Sequence, residues 1–166
     1  SQNVFPDDGR DQNLIIGNHS FQNFENGTSN TVLGHSAGAN QEDGYDNTLI
    51  GRGAGLSGTT LNKNVMIGSG SGGNNNGMGN LFIGFLSGSQ NTGNNNVFLG
   101  NQSGRTASGS NLLYIENSAS NTPLIYGEFN NDLLRINGTL NINSAFSFPT
   151  SDGTTNHILQ TDGSGS

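Results

Sequence analysis

The sequence predicts an all-β fold, a parallel solenoid or β-roll of about six coils followed by a smaller β-rich module. Three observations carry that prediction: a short apolar run recurs at a fixed period, an Asn and a Gly bracket each run, and the rest of each period is Asn, Gly, Ser and Thr. Aligned on the closing Gly, the frames are NLIIG to Gly17, NTVLG to Gly34, NTLIG to Gly51, NVMIG to Gly68, NLFIG to Gly84 and NVFLG to Gly100, spaced 17, 17, 17, 16 and 16 residues. One apolar run in so short a period cannot bury itself alone, so successive coils must stack. Stacked strands lie about 4.8 Å apart, which makes six coils a rod roughly 29 Å long.

Residues 1–12 form a lead-in, and residues 13–110 hold the repeats. Each coil is expected to be a strand, a tight bend at Gly, a second short strand and a polar return loop. The column just before Gly is Ile16, Leu33, Ile50, Ile67, Ile83 and Leu99, all Ile or Leu, and is assigned to the interior of each coil. One residue earlier stand Ile15, Val32, Leu49, Met66, Phe82 and Phe98. Side chains alternate across a strand, so this second column is placed on the outside. An apolar stripe running along a rod is a patch that monomers rarely expose, and burial against other copies of the chain is the expected remedy.

Asn13, Asn30, Asn47, Asn64, Asn80 and Asn96 precede each Gly by four residues. Stacked amides can hydrogen-bond along the axis and satisfy turn backbone groups, so the column is read as a structural ladder. Small pairs follow each bend three and four residues on, as in Ala37-Gly38 and Ser87-Gly88; the first frame departs, with Ser20 followed by Phe21. The glycines suit bends that need positive φ or close backbone approach.

Residues 111–148 are expected to form a β-rich junction or shaft with segments Leu112–Ile115, Leu124–Phe129 and Leu133–Ile142, and residues 149–166 a linker leading on to a tip or chaperone. The chain starts inside a continuing pattern and is read as a piece of a longer protein.

Composition narrows the function. The chain has 27 Gly in 166 residues, 30% hydrophobic residues and no Cys, which removes disulfides and thiolate chemistry. A net charge of -7 with five Lys and Arg disfavours binding to nucleic acid. No run approaches the ~20 apolar residues of a membrane span. Between Asn47 and Ile115 there is no carboxylate, so that interval cannot supply the paired acids of a glycosidase; Glu116, Glu128 and Asp132 are the nearest alternatives. His19, His35 and His157 are read as solvated loop residues, a three-His ring on an oligomer axis being the alternative, and Asp7, Asp8 and Asp11 as a solvated turn rather than a Ca²⁺ loop. No catalytic residue, metal or cofactor is assigned.

The repeated pattern exemplified by NTLIGRGAG, over Asn13 to Gly104, resembles the head of trimeric autotransporter adhesins, the YadA-like kind. That resemblance implies a left-handed parallel β-roll, three chains around one axis, and a surface fibre whose head binds host or matrix material. The column that the family fills with Ala is larger here, at Met66, Phe82 and Phe98. The segment FPTSDGTTNHILQTDGSGS is similar to stretches of bacterial and phage fibre proteins. The expected function is a non-enzymatic, extracellular homotrimeric adhesin or fibre segment for cell-surface or glycan attachment, with no membrane contact of its own and with Tyr45, Phe85 and Tyr114 as candidate sugar-stacking platforms. A phage or injection-system tail-fibre shaft is the alternative. An ice-binding solenoid ranks below both, because only Thr31 and Thr48 occupy equivalent positions.

Overall fold

The computed structural model describes residues 12–142 and the strand Phe146–Phe148. The strands are β1 (Leu14–Ile16), β2 (Thr31–Leu33), β3 (Asp43–Tyr45), β4 (Thr48–Ile50), β5 (Thr60–Asn62), β6 (Val65–Ile67), β7 (Leu81–Ile83), β8 (Val97–Leu99), β9 (Leu112–Ile115), β10 (Ile125–Glu128), β11 (Leu133–Ile136), β12 (Leu140–Ile142) and β13 (Phe146–Phe148). The described residues contain no helix. One nine-stranded sheet has the order β1-β2-β4-β6-β7-β8-β9-β10-β11. Its first seven strands are parallel, and β10 and β11 then run antiparallel. β3 and β5 form a short parallel sheet, extended by single bridges Asn26–Asp43 and Asn62–Met78. The chain is thus a β-solenoid of about six turns, closed by a seventh parallel strand. That strand lies beyond the last NxxxG frame, because Leu112 stands where the Asn column would continue and Glu116 where the Gly column would.

The interior is narrow, and Leu61 and Phe21 share it with the strand residues of their own turns. In every frame the middle strand residue points inward: Ile15 is 4% exposed, and Val32, Leu49, Met66, Phe82 and Phe98 are fully buried. This reverses the two columns expected above. Ile16, Leu33, Ile50, Ile67, Ile83 and Leu99 are not the coil's core; they face outward and are half-buried or exposed. Side chains do alternate along each strand, with the opposite sign to the one expected. Each three-residue strand of the coils carries two outward positions and one inward.

The glycine pair of each coil follows from that thinness. Gly84, with φ +136°, is backed so closely by Gly100 that a Cβ would lie 2.2 Å from its carbonyl oxygen; Gly17, Gly34, Gly51 and Gly68 are in the same position. Four residues on, Gly88 lies against the Phe82 ring, where a Cβ would come within 2.5 Å. The departing first frame obeys the same geometry differently. Phe21 itself takes the left-handed conformation, φ 44°, and its ring occupies the space beside Gly38 and stacks on Phe24 at 4.5 Å.

The Asn column is a continuous ladder. Each Asn Oδ1 accepts the backbone N–H one coil on, from Asn30 N to Asn13 through Leu112 N to Asn96, at 2.9–3.0 Å. Each Nδ2 donates across its own coil to a carbonyl at 2.7–3.1 Å: Gly27, Gly44, Leu61, Gly77, Gly93 and Gly109. A buried amide here satisfies a donor and an acceptor that the narrow interior would otherwise orphan. Sequence reasoning missed a second set of fully buried amides, Gln41, Asn75 and Asn91, in a column that Gly58 interrupts. Asn75 and Asn91 accept the N–H two residues on, from Gly77 and Gly93, and so tighten the corner in the 16-residue coils. Gln41, in a 17-residue coil, donates instead to the Asp43 and Leu61 carbonyls.

Candidate functional site

The feature that asks for a function is the outer face of the nine-stranded sheet. The strand registers place Leu14, Thr31, Thr48, Val65, Leu81, Val97, Leu113, Gly127 and Leu134 in one outward column. Two residues further along each parallel strand, Ile16, Leu33, Ile50, Ile67, Ile83, Leu99 and Ile115 form a second column, continued by Ile125 and Ile136 in the antiparallel strands. Neither column holds a charged residue, and the polar members are Thr31 and Thr48 alone. Leu14 is 50% exposed, Leu33 46% and Leu134 64%. At ~4.8 Å per strand the stripe runs about 38 Å, with about 7 Å between its columns.

The face of β3 and β5 is more polar. Outward from β3 and β5 the side chains are Asp43, Tyr45, Thr60 and Asn62, and exposed Asn and Ser line the return loops. Several of those amides accept a backbone N–H from the preceding coil, as Asn62 does from Tyr45 and Asn94 from Met78.

The three candidate sugar platforms are not brought together. Tyr45 is exposed on the β3–β5 side, and Phe85 is exposed just past the bend at Gly84. Tyr114 is a correction: it is 8% exposed and sits in the interior column, 5.0 Å from Phe98 and 5.5 Å from Tyr126, ring centroid to centroid. A buried ring cannot stack on a ligand. Burial and the nearby Glu128 carboxylate raise its phenol above the ordinary value.

The C-terminal strands carry the described carboxylates that the glycosidase alternative would use, and both glutamates are already engaged. Glu116 accepts from the backbone N–H of Asn117 at 2.7 Å and of Leu124 at 3.0 Å, and from the Ser118 hydroxyl; these bonds lower its pKa. Glu128 accepts from the Tyr126 hydroxyl and from Asn131, which lower its pKa, while the same bond raises Tyr126 to about 12. An acid held ionised by donors is a poor proton source. Beside Glu116, where the apolar face meets the β9–β10 connection, lies an open pocket of about 390 Å³ lined by Leu99, Gly100, Ile115, Glu116, Asn117 and Leu124.

Among the described residues no group of three or more His, Asp or Glu is placed to hold a metal ion, and no helix is long and apolar enough to cross a membrane. His157 and the acids Asp7, Asp8 and Asp11 lie outside the described residues. No family model, curated protein or solved structure matches this chain.

Proposed function

We propose that this chain is a non-enzymatic segment of a homotrimeric extracellular adhesin or fibre, in which copies pack through the two outward columns of the nine-stranded sheet. The observation that carries the reading is the stripe's length and regularity: an unbroken run free of charged side chains crosses every strand of the sheet, from β1 to β11. Patches of that extent on soluble proteins are normally covered. Its ridges repeat at the strand spacing of ~4.8 Å, and a second copy of the same chain offers a matching repeat along the whole length. The number three comes from the resemblance to YadA-like heads. The polar side, with exposed Tyr45 and Phe85 among amide and hydroxyl groups, is then left outward for glycan or receptor contact.

A tail-fibre shaft would use the same face and differ in the segments attached to it. Ice binding lacks its array, since threonine fills two of the nine positions of one column and none of the other.

The test is solution mass by light scattering with circular dichroism, on the natural chain and on a Leu33→Asp/Ile83→Asp variant. The expected result is a mass three times 17.2 kDa for the natural chain and a smaller, still β-rich species for the variant. A natural chain that is monomeric overturns the reading, and a dimer overturns the copy number.

A further inference from the structure

We propose that His19 and His35 form a two-imidazole site for a divalent transition-metal ion. They occupy successive coils just past the bends at Gly17 and Gly34, and backbone pairing of Ser36 N with the Asn18 carbonyl sets the two bends side by side. Their ring centroids are 5.7 Å apart at 71°. Two imidazoles on one tetrahedral ion at Zn–N ~2.1 Å would have centroids about 5 Å apart, close to the spacing here, and rotation of the two exposed side chains is the movement that would turn both rings onto one ion.

The neighbours leave the correct nitrogens open. His19 Nδ1 lies 3.1 Å from the Gln22 side-chain carbonyl oxygen, an acceptor that favours the tautomer with the proton on Nδ1 and the lone pair on Nε2. His35 Nδ1 lies 2.9 Å from the Ser36 hydroxyl, which can accept the same proton. Among the described residues neither Nε2 has a hydrogen-bond partner. A second-sphere acceptor on one ring nitrogen with the other free is the arrangement that orients ligating histidines. His19 is also held in the left-handed region, φ 56°, by the repeating bend, which limits where its ring can go. Two protein ligands leave the remaining positions to water, so the site is an exposed one with its fold independent of metal. Arg52 stands one coil beyond His35 in the same column, within the range at which its charge would oppose a bound cation.

The inference is independent of the trimer and is tested on the full chain with Zn²⁺ alone. Calorimetric titration is expected to show one saturable ion per chain, with imidazole resonances of two of the three histidines shifting. His19→Asn, which tolerates the left-handed backbone, and His35→Ala are each expected to weaken binding at least about tenfold, the scale on which loss of a site component acts. His157→Ala should leave it unchanged, and Arg52→Ser should tighten it. Circular dichroism checks that each variant remains folded. Unchanged affinity in the His19→Asn/His35→Ala double variant, or no saturable binding by the natural chain, overturns the proposal.

Discussion

The parallel coils and the antiparallel strands that follow them share one outer face and are built on opposite chemical plans. In the coils the interior is held by uncharged groups: one strand residue per turn, joined in some turns by Phe21, Ala37, Ala54 or Leu61, together with buried amides and glycines that let carbonyls approach within a Cβ's width. From Tyr114 onward that column runs out of the interior through buried Tyr114, half-buried Tyr126 and exposed Arg135, with the Arg135 guanidinium 5.3 Å from the Tyr126 ring and Glu128 bonded to the Tyr126 hydroxyl. The difference teaches what the repeat is for. Identical coils can satisfy one another through amide ladders only while another coil follows; at the last turn the ladder ends on Leu112, and two antiparallel strands with charged and phenolic side chains take over. The outer columns stay free of charge across that change, with buried Gly127 the one gap between Leu113 and Leu134, so the face keeps its character where the interior does not.

The sharpest way to break this comparison is at the bend glycine. Gly84→Ala sets a Cβ against the Gly100 carbonyl in a backbone region that L side chains rarely adopt, and we expect a loss of about 3 kcal/mol or more, read as a large drop in the urea midpoint. The equivalent place after β9 is Glu116, which already carries a side chain, so Glu116→Ala should cost far less. Next in size is Asn64→Ala, which orphans the Asn80 N–H and the Gly77 carbonyl; two buried groups at ~1–3 kcal/mol each predict a loss of about 2–5 kcal/mol.

The smallest effect should be confined to the antiparallel end. Glu116 and Glu128 are both lowered from 4.5 in the folded chain, so the stability they confer is complete above that value and is lost as pH falls through their folded values. Hydrogen exchange is therefore expected to show β9–β11 loosening on acidification from about pH 5 to pH 2, while the amide-laddered coils between β2 and β7 keep their protection. Uniform loosening of both regions would show that the two plans do not differ as described. A Glu116→Gln/Glu128→Gln variant should remove the regional pH dependence.

Much of the architecture was legible beforehand. The six frames, the bend at each glycine, the Asn ladder and the strand Leu112–Ile115 all follow from short-range pattern, because each depends on residues a fixed distance apart in the chain. What was misread is which side of the strand is inside. Ile50 and Leu49 are both apolar and adjacent, and nothing within NTLIG says toward which the chain will wrap. One signal was available: Leu14, Val65, Leu81 and Val97 share parity with Ile16, Ile67, Ile83 and Leu99, so two apolar columns lie on one side and a single column on the other. A narrow coil has more room for the single column than for the double one. The matching of Phe82 and Phe98 to Gly88 and Gly104 points the same way.

The amino-acid sequence by itself determined the period, the stacking and the existence of two apolar faces, since spacing and alternation are properties of the local backbone. Only the tertiary structure decided which face closes the coil, that the sheet runs on through β10 and β11, that Tyr114 is buried, and that His19 stands beside His35. Those outcomes depend on how far one turn can approach the next, a distance set by carbonyls and ring edges from residues 16 or 17 apart, and no single frame contains it.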